Sequence, residues 1–144
     1  LKNYEEAIAV ESRLFDGITE LLANLRAQGI VWGIVTNKVA YLTDSLVPQI
    51  GLQEAACVIS GDTTGHPKPH PAPLIEAAKR IGIEPQHCWY VGDDLRDIQA
   101  GQAAGMTTIA AGWGYCGEIA PATWNADALV ESPQQLFKLI NSQQ

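Results

Sequence analysis

Residues 88–97 read CWYVGDDLRD, and the fold can be worked out from the change of pattern inside them. Cys88, Trp89, Tyr90 and Val91 form a short apolar and aromatic run of the kind that builds a buried strand. Gly92 interrupts it, and Asp93, Asp94 and Asp97 follow before a helical period sets in. Acids crowded at the end of a buried strand repel one another unless a cation sits among them. In an open parallel α/β sheet, the carboxyl ends of the strands are also where ligands bind. The stretch therefore predicts a divalent-metal site at one rim of a sheet.

Toward the N-terminus, Pro71 and Pro73 open a helix whose inward residues are Leu74, Ile75, Ala78 and Ile81, closed by Gly82. Before it, residues 61–71 (GDTTGHPKPHP) are too rich in Gly and Pro for anything but a loop, and residues 57–60 (CVIS) read as a short strand. Lys38 to Val47 reads as a helix stopped by Pro48, and Ile30 to Thr36 as a strand covered on both faces. Ile18, Leu21, Leu22 and Leu25 mark an amphipathic helix ending at Gly29, and Leu1 to Arg13 has a mixed, partly helical pattern. Toward the C-terminus, a helix from Asp94 to Ala104 closed by Gly105 leads to a strand from Met106 to Ala111. Ala128 to Val130 suggest an edge strand, and Ser132 with Gln135 forms a capping box for a last helix, Pro133 to Ile140. Helices alternating with buried strands place the chain in the α/β class with a parallel sheet.

With 144 residues the chain suits one domain with a real core. A net charge of −7 argues against nucleic acid as a partner, and no apolar run is long enough to span a membrane. The first ten residues lack the basic flank and apolar segment of a signal peptide, so cytoplasm is the expected compartment. Cys57, Cys88 and Cys116 have no CxxC spacing and are read as neither ligands nor disulfide partners.

Thr36 with Asn37, Lys68, and the Asp93/Asp94/Asp97 cluster all fall at or just past strand ends, which a parallel sheet gathers on one rim. A hydroxyl, an ammonium and metal-binding carboxylates around one point suit phosphoryl transfer, where catalysis is mainly positioning and charge neutralisation. VTN at 35–37, GHPKPHPAPL at 65–74 and VGDDLRDIQAG at 91–101 occur in that order. Together they resemble the second, third and fourth motifs of the haloacid dehalogenase superfamily. Within it the chain looks like the phosphoglycolate phosphatases and the bacterial N-acetylmuramic acid 6-phosphate phosphatases.

The resemblance implies a Rossmann-like parallel sheet with flanking helices and a Mg²⁺-dependent phosphomonoesterase. Such an enzyme would hydrolyse a small phosphorylated metabolite, such as phosphoglycolate or a sugar phosphate, through an aspartyl-phosphate. By resemblance Thr36 and Asn37 bind the phosphoryl oxygens, and Lys68 neutralises the phosphoryl group and the attacking carboxylate. Asp93 binds Mg²⁺, Asp97 acts behind it by holding a metal-bound water or Lys68, and Asp94 is a further candidate ligand. The family's first motif, DxDGT, supplies the nucleophile and the acid, and no DxD occurs in these residues. LFDGIT at 14–19 lacks the second acid, so Asp16 is read as a turn residue.

The expected architecture is therefore a core truncated at its N-terminus, with the central nucleophile strand missing. Residues 1–14 would be a remnant of a helical cap or linker, and residues 15–144 the core domain. The chain alone would then be inactive. The alternative is a non-catalytic module that binds metal and phosphate or a partner.

Each residue has a plainer reading. Acids favour a helix N-terminus for capping and dipole reasons, Thr36 alone is an ordinary strand end, and Lys68 alone a solvated loop charge. The ordered motifs are what outweigh these. His66 and His70 have the i, i+4 spacing of a zinc pair, but prolines 67, 69 and 71 forbid the helix that would align them. Trp32 and Trp89 are expected in the core, and Trp113 and Tyr115 are placed in a Gly-rich loop at the rim.

Overall fold

The computed structural model describes residues 7–11, 18–35, 58–59, 65–66, 68–112 and 120–142. Among these residues six parallel strands form one sheet in the order β3-β2-β1-β4-β5-β6. They are β1 (Ala7–Glu11), β2 (Val31–Val35), β3 (Val58–Ile59), β4 (Cys88–Gly92), β5 (Thr107–Ala111) and β6 (Ala128–Val130). Helices α1 (Ile18–Ala27), α2 (Ala72–Ile81), α3 (Leu95–Ala104) and α4 (Pro133–Asn141) accompany them.

Period-two alternation along the strands divides the core into layers. On one face Trp32 and Ile34 of β2, Val91 of β4 and Ile109 of β5 pack against Leu21, Leu22 and Leu25 of α1 and Leu136 and Ile140 of α4. On the other, Val35, Ile59, Cys88 and Tyr90 pack against Leu74, Ala77 and Ala78 of α2 and Ala100 of α3. Trp124 closes a smaller cluster with Ile98 and Ala110. Trp32 and Trp89 thus take the core positions expected of them, Trp89 as a partly buried neighbour of the first layer.

Two expectations change here. The segment Leu1 to Arg13, read as partly helical, contains a strand at Ala7–Glu11. That strand fills the middle position expected to stand empty, pairing with β2 through Ala7 opposite Val31 and with β4 through Ala7 opposite Cys88. Its sequence, AIAVE, alternates too weakly to separate helix from strand by period alone, and two waiting strand edges decide the outcome. It carries no DxD. The second change is on α2, where Ile75 is 46% exposed and Ala77 takes the inward place.

The segment Lys38 to Val47, expected to be a helix, and Trp113 and Tyr115, expected in a loop, lie outside the described residues, as do Asp16, Cys57 and Cys116. Among the described residues no helix is long and apolar enough to cross a membrane. Cys88 is buried, its thiol directed at the Glu84 carbonyl 3.5 Å away.

Candidate active site

The strand-to-helix turn after β4 builds the site. β4 ends at Gly92, Asp94 is the N-cap of α3 in extended backbone, and Asp97 occupies the third helical position. A carboxylate there can reach back over the turn to satisfy the amides that a helix start leaves without partners. Asp97 does so twice: Oδ2 accepts from the backbone N–H of Asp93 and of Asp94, each at 3.1 Å. The turn is tight because Gly92 has no side chain. A Cβ there would overlap the Cβ and carboxylate of Asp97.

The other oxygen of Asp97 turns into the protein. Oδ1 accepts from Lys68 Nζ at 2.6 Å, in an ion pair whose side chains are 4% and 3% exposed. Two charges withdrawn from water this far are costly unless their hydrogen bonds are complete. Here the ammonium also donates to Tyr90 Oη at 3.1 Å and lies 5.7 Å from the centre of that ring. Lys68 comes from the loop between β3 and α2, at the same sheet rim as the aspartates.

The three acids therefore do not converge on one point. Asp97 is balanced by an ammonium rather than by a metal, while Asp94 Oδ1 accepts from the backbone N–H of Arg96 at 2.9 Å and pairs with its guanidinium at 3.3 Å. Burial pushes the Asp94 carboxyl up, but the Arg96 amide and guanidinium, with Lys68 beyond them, outweigh it and hold the group below its ordinary value. Among the described residues no three His, Cys, Asp or Glu side chains form a metal cage. Asp93 lies half-buried directly past the strand end, its backbone N–H held by Asp97 Oδ2. A single carboxylate fits Mg²⁺, which keeps several waters and takes substrate phosphate oxygens as further ligands.

Lys68, Asp93, Asp94 and Asp97 are thus brought to one rim. Thr36 and Asn37 follow Val35, the last residue of β2, and lie outside the described residues. His66 and His70 do meet, by ring stacking rather than on a helix, with centroids 4.6 Å apart. Stacked rings present faces to each other, and His70 Nδ1 is already an acceptor for the Ala72 N–H. Tyr90 escaped the sequence reading, which treated it only as part of a buried strand. The available signal was its place two residues from Cys88 and two from Gly92, on the face that looks toward the Lys68 loop.

Residues 1–111 match the family model described as haloacid dehalogenase-like hydrolase. Over 140 residues, 96% of this chain, it is 51% identical to a phosphoglycolate phosphatase of Xanthomonas campestris pv. campestris. Over 144 residues it is 42% identical to an N-acetylmuramic acid 6-phosphate phosphatase of Pseudomonas putida. The chain spans 63% of the length of the first and 65% of the second. A crystal structure described as a predicted phosphoglycolate phosphatase from Haemophilus somnus superposes with a TM-score of 0.79 at 27% identity, covering 88% of this chain and 57% of that one.

Proposed function

The chain belongs to the haloacid dehalogenase-like hydrolases, and from that premise we propose that it is the core of a Mg²⁺-dependent phosphomonoesterase acting in the cytoplasm on a small phosphorylated metabolite. The observation that carries the reading is the buried Lys68–Asp97 pair beside Asp93 at the carboxyl rim of the sheet. An ammonium held there can neutralise a phosphoryl oxygen as charge develops on it. Asp97 fixes that ammonium and, through the amides of Asp93 and Asp94, the shape of the turn. Thr36 and Asn37 are the proposed donors to the remaining phosphoryl oxygens.

Asp93 would hold Mg²⁺, with Asp94 at most an outer neighbour because it caps α3 and pairs with Arg96. Bound there, the ion would supply a positive centre for phosphoryl oxygens. In the proposed reaction a carboxylate oxygen attacks phosphorus and the ester P–O bond breaks. The leaving alcohol takes a proton, and water then releases phosphate from the aspartyl-phosphate. Neither the attacking carboxylate nor the acid of a DxD pair is present in these 144 residues, so this chain alone is expected to be inactive. The names of its relatives favour phosphoglycolate or a sugar-acid phosphate as substrate. The lack of DxD is also what favours the second reading, a non-catalytic module that binds metal and phosphate or a partner.

The test is phosphate release from p-nitrophenyl phosphate, phosphoglycolate and N-acetylmuramic acid 6-phosphate, with and without Mg²⁺. The protein in the longest form its reading frame encodes is assayed beside the 144-residue chain. Mg²⁺-dependent turnover by the longer form, abolished in Asp93→Asn and Lys68→Met, is the expected result. Absence of turnover in every form, with phosphate still bound, would replace the enzyme with the binding module.

A further inference from the structure

Tyr90 lies at the centre of β4 with no exposed surface, on the face covered by α2 and α3. Its ring fills core volume that a phenylalanine would fill as well, so packing does not account for the hydroxyl. A buried hydroxyl needs partners, and here Oη accepts from Lys68 Nζ at 3.1 Å and donates to the Val35 carbonyl at 3.5 Å. An ammonium can only donate and a phenol has one proton, so the direction of the relay is fixed from Lys68 through Tyr90 to Val35.

The relay joins parts that the sheet keeps apart. β2 and β4 are not neighbours, since β1 runs between them, yet the Tyr90 hydroxyl spans from β4 to the last residue of β2. The next residue in the chain is Thr36. Lys68 is thereby tied to the strand that delivers Thr36 as well as to Asp97.

An ammonium held by one acceptor still rotates about that bond. Held also at Tyr90 Oη, the ammonium can no longer turn about its bond to Asp97 Oδ1. We propose that Tyr90 is a positioning residue: Asp97 supplies the charge that keeps Lys68 in place, and the Tyr90 hydroxyl sets the direction in which the ammonium meets the phosphoryl group. This rests on the phosphatase reading. It assigns Tyr90 a part in the rate of the chemical step rather than in affinity, because misdirecting a neutralising donor weakens what it does as charge develops.

The experiment uses the protein in the longest form its reading frame encodes, with p-nitrophenyl phosphate and Mg²⁺. Tyr90→Phe is expected to lower kcat about tenfold while KM moves by less than about twofold, as loss of one hydrogen bond to a charged group predicts. The ¹⁵N-detected ammonium signal of Lys68, assigned by its absence in Lys68→Met, should exchange faster with water in the same variant. A matched pair separates direction from packing and replaces Tyr90→Phe should that variant not fold. Tyr90→3-fluorotyrosine keeps the accepting hydroxyl at the same reach and should retain kcat; Tyr90→4-methylphenylalanine keeps only the bulk and should not. Wild-type kcat in Tyr90→Phe, equal kcat in the matched pair, or a fall in stability with unchanged kinetics would each overturn the proposal. A wild-type protein with no phosphatase activity would overturn the phosphatase reading itself and take this one with it, whatever the variants do.

Discussion

Two helices in this molecule begin in the same way and end up with different jobs. α3 and α4 each start past the carboxyl end of a strand, with a short polar N-cap and a carboxamide or carboxylate three residues on: Asp94 with Asp97, and Ser132 with Gln135. At α4 the arrangement is only a cap. Ser132 Oγ accepts from the Gln135 N–H at 3.1 Å, and Gln135 reaches one residue further back than a closed box would, to the Glu131 N–H at 2.6 Å, with both side chains toward solvent. At α3 the box closes, and its third residue is 2% exposed and bound to a buried ammonium. The difference is one of burial and countercharge, not of local pattern. A cap becomes part of a site when its far oxygen is turned inward and a cation from another part of the chain is brought to it.

If that contrast is right, truncating the two third-position residues should have very unequal effects. Asp97→Ala leaves Lys68 charged and buried without its partner and two turn amides unsatisfied, and should cost about 3–5 kcal/mol in urea unfolding. Gln135→Ala should cost about 0.5–1 kcal/mol. Similar losses at the two positions would erase the distinction between them.

The glycines beside the two caps sharpen the same point. Gly92→Ala places a Cβ into the Asp97 side chain, whose own position is fixed by three hydrogen bonds, and should cost about 1–3 kcal/mol in thermal or urea melts. At Gly112, before the segment that leads to α4, a new Cβ would meet Glu131 Oε1 at 2.7 Å. That atom ends a flexible, exposed side chain that can swing away, so Gly112→Ala should stay within about 0.5 kcal/mol of wild type.

The smallest effect concerns Asp94. Its carboxyl titrates below the ordinary value, so its contribution to stability is complete above the usual aspartate range and is lost as pH falls through the depressed folded value. Asp94→Asn keeps an equally good cap and removes only the ion pair with Arg96, whose side chains are 48% and 59% exposed. Melts should therefore differ by no more than about 0.5 kcal/mol at neutral pH, after solvent screening, and coincide in acid. A gap that widens in acid would reverse the sign argued here.

Much of this was legible because it is local. The helix from Ile18, the strand from Cys88 and the closures at Gly82 and Gly105 follow from apolar period and from glycines with positive φ, and the structure has all of them. Ala7–Glu11 was not legible, because Ala and Glu favour helices and Ile and Val favour strands. Only partners distant in sequence settle the matter. The ordered motifs identified Lys68 and the aspartates as a set, but not how they divide. Nothing in DDLRD says that the last acid turns inward and the middle one out to Arg96. That depends on the loop of Lys68, 29 residues earlier, being folded against the turn. The Asp127 carboxylate, which accepts from the Thr108 N–H at 2.7 Å and so anchors the approach to β6, escaped for the same reason.

The position of β1 bears on how such a sheet can be made. After β4, each strand pairs with the one synthesised just before it, β5 with β4 and β6 with β5, so these three can assemble as the chain is extended. β1 differs: one side meets β2 early, but the other must wait for Cys88, opposite Ala7. Until the ribosome has passed that residue, the future middle of the sheet is an open edge. An open edge pairs with whatever strand is offered, so on this side β1 stays exposed to mispairing until β4 has been made.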